Sequence, residues 1–142
     1  MQVAGYQAKE NLDMKKYLVD TSVFIDHFRG NDQATEFLKE ADDQIVISGT
    51  TIGELLQGVR NKKEQTIVNK LFSLVNITWC TPQIEQLAHE LLLSYYLQFG
   101  ITYFDCLIAA HALEGDFQLV THNIKHFKKI PSLSVIQPPY LS

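Results

Sequence analysis

Three carboxylates stand where short apolar runs give way to helical patterns. Asp20 follows Tyr17-Leu18-Val19, Glu54 ends Thr51-Ile52-Gly53-Glu54, and Asp105 ends Thr102-Tyr103-Phe104-Asp105. Each could simply serve its own helix. Asp20 could N-cap a helix beginning near Ser22, and the other two read as capping boxes with Thr at the cap and the acid three residues on. Taken together, they point elsewhere. Asp105 lies among Phe104, Leu107, Ile108, Ala109, Ala110 and Ala112, so its charge is partly buried and needs a partner. The basic residue nearest in that helix, His111, is off its face. Asp20 and Glu54 have no Lys or Arg in register. Three acids without an internal cation call for an external one, and an all-oxygen donor set suits Mg²⁺ or Mn²⁺.

The elements that would hold these acids follow from periodicity. Tyr17 to Val19, Gln44 to Ser48, Asn76 to Trp79, Phe117 to Thr121 and Leu133 to Ile136 read as short buried strands. Between them, apolar residues recur at helical spacing. Ala34, Phe37, Leu38 and Ala41 form one stripe; Ile52, Leu55, Leu56 and Val59 a second; Ile67, Val68, Leu71, Phe72 and Val75 a third. The longest helix opens at Thr81-Pro82, carries Ile84, Leu87, Ala88, Leu91, Leu92 and Tyr95, and stops at Gly100. Short strands alternating with helices, without hairpin signals, predict an α/β fold: a three-layer α/β/α domain around a mostly parallel sheet of about five strands. Right-handed crossovers would bring the strand ends that lead into helices to one edge, where ligands bind in such sheets.

Composition narrows the class. A chain of 142 residues, 46% hydrophobic, is one globular domain. We assign residues 14–142 to it and read residues 1–13 as an N-terminal extension or non-native remnant, with Met14 a possible natural start. A net charge of −4 argues against a general nucleic-acid coat protein, but not against an enzyme whose carboxylates bind metal. Cys80 and Cys106 stand apart, which fits a reducing cytosol. No apolar run reaches the roughly 18 residues of a membrane span, so we expect a cytoplasmic protein with no membrane contact.

Four segments, in this order, carry a resemblance: Leu18-Val19-Asp20-Thr21-Ser22, Ile52-Gly53-Glu54-Leu55-Leu56-Gln57-Gly58, Asp105-Cys106-Leu107-Ile108-Ala109-Ala110-His111-Ala112 and Leu119-Val120-Thr121-His122-Asn123. From about Lys15 to Ile136 the chain resembles a PIN domain, most closely the VapC-type ribonuclease toxins of bacterial toxin–antitoxin pairs. The resemblance implies a metal-dependent endoribonuclease that hydrolyses RNA to leave a 3′-hydroxyl and a 5′-phosphate. Asp20, Glu54 and Asp105 would be its acids and metal ligands, and Ser22 a hydroxyl near the metal. It also implies a cognate antitoxin protein over the acidic edge and a homodimer, for which the long helix with Tyr95, Tyr96 and Phe99 is the candidate face.

The family often has a fourth acid after the fourth strand, where this chain has Asn123 or, slightly later, His126. Asn123 keeps an oxygen but no charge, which leaves open whether one metal or two would bind; it could also be a helix N-cap. Asp116 precedes the strand, and about five residues at ~3.3 Å each put it near the opposite edge. Two rivals remain: an inactive PIN-like scaffold that only binds partners, and a phospho-acceptor signalling module, for which an acid pair and a late Lys are missing. His122 and His126 have helical spacing but lack further zinc ligands. Lys125, Lys128, Lys129, Arg60, Lys62 and Lys63 could contact phosphates. Asp26, within the first helix, is either a supporting acid or exposed.

Overall fold

The computed structural model describes residues 15–141; the expectations for residues 1–13 and Met14 lie outside the described residues. Strand β1 (Tyr17–Val19) leads into helix α1 (Thr21–Phe28), followed by α2 (Asp32–Glu40) and a single 3₁₀ turn, Asp42–Gln44. Strand β2 (Ile45–Ser48) leads into α3 (Gly49–Gln57) and then α4 (Lys62–Phe72). After β3 (Asn76–Thr78) come α5 (Pro82–Phe99) and α6 (Tyr103–Gly115). Strand β4 (Gln118–Val120), α7 (Ile124–Phe127), β5 (Val135–Ile136) and a 3₁₀ turn at Pro139–Leu141 complete the order.

The sheet is wholly parallel, in the order β3-β2-β1-β4-β5. Its two faces follow from the alternation of side chains along a strand. Leu18, Val46 and Leu119 point into a core shared with Ile84, Ala88 and Leu91 of α5 and with Ile108 and Ala112 of α6. Val19, Ile45, Ile47 and Val120 point the other way, onto Val23 and Phe24 of α1, Leu38 of α2, Ile52 and Leu55 of α3 and Val68 of α4. Helices α1–α4 therefore cover one face and α5–α6, with Phe127 of α7, the other, giving the three layers. Helix α6 packs so deeply that Cys106, Ile108, Ala109, Ala110, His111 and Ala112 are all buried, as its apolar sequence requires.

Local chemistry sets the helix ends. Thr81 Oγ accepts from Ile84 N and Thr102 Oγ from Asp105 N, so both threonines cap as expected. Gly100 terminates α5 in the left-handed region, φ 67°. One expectation is corrected. Thr51 does not cap α3; Ser48 does, accepting from Thr51 N at 3.0 Å. The parallel pairing of Ser48 with Thr78 carries β2 to Ser48, and the helix begins at once at Gly49, where a Cβ would come within 2.7 Å of the Trp79 ring. Glu54 thus lies well inside α3, not in a capping box.

Candidate active site

The strand order turns about β1: the chain moves outward through β2 and β3, then returns to the other side of β1 with β4. A crevice outside the carboxyl ends of β1 and β4 is the ligand position expected of such a switch point. Asp20 stands there, at the end of β1 and the N-cap of α1. Its N–H donates to Val120 O at 3.0 Å. Oδ1 accepts from Thr21 N at 2.8 Å and Oδ2 from the Thr121 hydroxyl at 2.8 Å. The capping reading of Asp20 therefore holds, and describes only one of its oxygens.

Glu54 reaches the same place from α3. Its Oε1 accepts the Thr21 hydroxyl at 2.9 Å. Asp105, in the first turn of α6, brings the third carboxylate from the opposite helical layer. Two of the three are shifted. Burial pushes the Asp20 carboxyl above its ordinary value, the Thr121 and Thr21 bonds oppose this, and the charge of Asp105 adds to the rise. Glu54 is likewise raised, first by burial and then by the charges of Asp20 and Asp105, against the bond from Thr21. Mutual repulsion in a partly dry crevice favours a bound cation.

Contrary to the expectation from its own helix, Asp105 has an internal partner. His126 Nδ1 lies 3.3 Å from Asp105 Oδ2, brought there by α7 from a part of the chain the helical spacing of α6 could not reveal. The same nitrogen lies 3.1 Å from Asn123 Nδ2, so it donates to the carboxylate in one protonation state and accepts from the amide in the other. Asn123 occupies the N-cap position of α7 but makes no capping bond with its side chain; its N–H donates to Thr121 Oγ at 3.1 Å.

Among the described residues, Ser22 makes no hydrogen bond to a carboxylate. Its Oγ accepts from His122 N at 3.3 Å, and the hydroxyl that meets an acid from this turn is Thr21. The sequence pattern passed over Thr21 and Thr121, although both sit at strand ends inside the motifs. Asp26 is neither free nor among the three acids; it accepts from His122 and from Tyr140. His111 is buried against Thr78, with its pKa lowered by burial. Asp116 ends α6 with φ 53° before β4 begins, at the edge away from the acids, as expected.

A groove of about 590 Å³ opens beside Thr21 and Glu54. Ile25 and Phe28 from α1, Val59 after α3 and Ile67 from α4 give it an apolar wall, and Arg29, Glu54, Arg60 and Glu64 give it charge. Arg60, at its rim, is paired with Glu64 at 2.7 Å and so is not a bare phosphate-binding cation. On the other side of the site, Lys129 Nζ lies 4.9 Å from the Phe99 ring centroid, while Lys125 and Lys128 are exposed.

A sheet with this order, and acids from α3, α6 and the β1 end at its switch point, defines a known class. The chain belongs to the PIN domain family, whose model matches residues 17–133. Within it, the chain is 37% identical over 127 residues to Ribonuclease VapC19 of Mycobacterium tuberculosis, spanning 87% of this chain and 98% of the relative. Among solved structures, a toxin–antitoxin complex from Klebsiella pneumoniae superposes with a TM-score of 0.73 at 28% identity, covering 87% of this chain and 98% of that one. VapBC2 from Rickettsia felis, solved with a DNA fragment from its promoter, gives 0.72 at 28%, covering 85% and 97%.

Proposed function

We infer that the protein is an endoribonuclease that hydrolyses RNA phosphodiester bonds with Mg²⁺ or Mn²⁺, the toxin of a toxin–antitoxin pair. The observation that carries this is the convergence of Asp20, Glu54 and Asp105 from the β1 end, α3 and α6, with Asp20 raised above its ordinary pKa by burial and the charge of Asp105, and Glu54 by burial and the charges of Asp20 and Asp105. Among the described residues no group of three His, Cys, Asp or Glu side chains is placed so that it could hold a metal ion by itself. A magnesium-type ion needs only one or two carboxylates and fills its remaining positions with waters and substrate phosphate. Asp20 and Asp105 would hold the ion, with Glu54 close by or acting through water. A bound divalent ion supplies an acidified water and neutralises charge on the phosphate.

The chain's own residues prepare that site. Thr21 orients Glu54, and Thr121 orients Asp20 while holding the Asn123 backbone. Ser22 ties the β4 loop to α1 near the ion's position. Asn123 offers an amide where relatives can offer charge. The groove leading to Glu54 is the surface an antitoxin segment would cover, a role supported by the likeness to the Klebsiella pneumoniae toxin–antitoxin complex and to Rickettsia felis VapBC2. No described helix is long and apolar enough to cross a membrane, in keeping with a cytoplasmic role. The test is RNA cleavage by rigorously repurified protein in Mn²⁺ against EDTA. Metal-dependent cleavage supports the assignment. Its absence leaves the scaffold reading, which the His126–Asp105 contact favours by giving one acid an internal partner.

A further inference from the structure

A second carboxylate network, centred on Asp26, lies beside the three acids. Ser22 and Asp26 stand four apart on α1, on one helical face, and both grip the same residue of the β4 loop. Ser22 Oγ accepts from the His122 main chain at 3.3 Å, and Asp26 Oδ2 accepts from the His122 ring through Nε2 at 2.7 Å. The Tyr140 hydroxyl donates to that same Oδ2, also at 2.7 Å. Tyr140 belongs to the turn Pro139–Leu141, which packs on α2. The end of the chain thereby returns, across 114 positions, to fix a carboxylate that fixes a histidine.

A tie between the terminus and α1 would need only Tyr140 and Asp26. The added ring is exposed, with 37% of its side-chain surface accessible, and it follows directly on Thr121, whose hydroxyl is bonded to Asp20. With Nε2–H committed to Asp26, the tautomer is set, and Nδ1 has no hydrogen-bond partner among the described residues. Immobilising an exposed imidazole costs rotamer freedom. What the arrangement yields is a nitrogen of fixed direction at the margin of an acidic crevice that must accept a polyanion.

We propose that His122 is an RNA-contacting residue that meets a backbone phosphate beside Asp20 through its Nδ1 edge, with Asp26 and Tyr140 as its positioning residues. The proposal rests on the ribonuclease reading and adds to it a contact from outside the acidic set. In its charged form the ring donates Nδ1–H to a phosphate oxygen while Asp26 balances the charge behind it. Tyr140, by sharing Oδ2, keeps the Asp26 carboxylate turned toward the ring.

The decisive variant is His122→Gln, whose side-chain amide can still donate to Asp26 but has no Nδ1 edge. Binding of a fluorescein-labelled, mixed-sequence single-stranded RNA is followed by anisotropy in EDTA, and cleavage of the same RNA in Mn²⁺, alongside melting temperatures. His122→Gln and His122→Ala are expected to weaken metal-free binding about ten-fold, the scale of one charge-assisted hydrogen bond. They should raise KM far more than they lower kcat. Tyr140→Phe is expected to weaken binding about three-fold in the parent and to add nothing in the His122→Gln background. A His122→Gln protein that binds RNA like the parent, or a Tyr140→Phe effect that persists without the histidine, reduces the network to a structural tie and overturns the proposal. Failure of the parent itself to cleave in Mn²⁺ would instead sink the ribonuclease reading, so the two failures are distinct.

Discussion

The Thr121 hydroxyl, 101 positions along the chain from Asp20, donates to that residue's Oδ2 across 2.8 Å. This bond spans the switch point between β1 and β4 and holds the buried carboxylate in one orientation. Thr121 is itself fully buried and also receives Asn123 N, so one hydroxyl sets both the first acid and the backbone of the loop opposite it. The consequences can be measured.

Thr121→Val keeps the shape and removes the hydroxyl. It leaves Asn123 N and one Asp20 oxygen without their partner, and the expected loss of stability is about 1–3 kcal/mol. The concentration of Mn²⁺ for half-maximal cleavage should rise as Asp20 loses its orientation. Unfolding by denaturant and a metal titration of activity check the two effects separately.

Asp20→Asn and Asp105→Asn should each lower metal-dependent RNA cleavage by at least about 100-fold, the scale lost with one electrostatic stabiliser of a transition state. Glu54→Gln should be severely impaired. Asp116→Asn should cleave like the parent, because Asp116 precedes β4 and so lies at the sheet edge opposite Asp20. Full activity in either Asp→Asn variant would remove that residue from the site.

Stability of the metal-free protein should depend on pH with an unusual sign. Asp20 and Glu54 have folded pKa values above the ordinary 3.8 and 4.5. Between those values and the raised ones, the native state holds more protons than the unfolded chain, so these two groups make stability fall as pH rises. Their cost is absent below the ordinary values and complete above the raised ones. In EDTA, Asp20→Asn should therefore melt higher than the parent at neutral pH, and the gap should close on acidification through that window. Mn²⁺ should stabilise the parent more than the variant. Paired thermal melts decide it; a parent blind to metal and a destabilised variant would mean that Asp20 is a cap and nothing more.

Of the three aromatic residues expected at a dimer face, two turn inward. Tyr95 and Phe99 pack together at 5.6 Å and onto the core, whereas Tyr96 is exposed. The outward stripe of α5 is Leu93, Tyr96 and Leu97, with the two leucines 87% and 94% accessible. Spacing of three and four residues aligns them on one face. If this stripe closes a homodimer, Leu93→Arg with Leu97→Glu should give a monomer at micromolar concentration without loss of folded stability. Sedimentation of parent and variant tests this; a monomeric parent would exclude the dimer.

The fold was largely legible because its signals are local. Strands such as Leu18-Val19 and Ile45-Val46-Ile47 are buried on both faces and read as short apolar runs, while the intervening helices show one apolar stripe each. Thr81 and Thr102 were readable as caps because capping involves residues three apart. Ser48 was not preferred over Thr51 because either hydroxyl could start the helix. Only the register of β2 against β3, and the Trp79 ring over Gly49, placed the boundary.

By itself, the sequence determined the types of chemistry available: three acids in or just before helices, no Lys or Arg in their own segments, and hydroxyl residues beside them. Tertiary structure decided the partners. Thr21 on Glu54, Thr121 on Asp20, His126 on Asp105 and Tyr140 on Asp26 each join residues that no helical or strand period relates. Periodicity reports which side of an element faces the core; it carries no information about which distant element will lie there. That choice belongs to the sheet order, which sets β4 against β1 and so brings the late loop, its histidine and its threonine to the first acid in the chain.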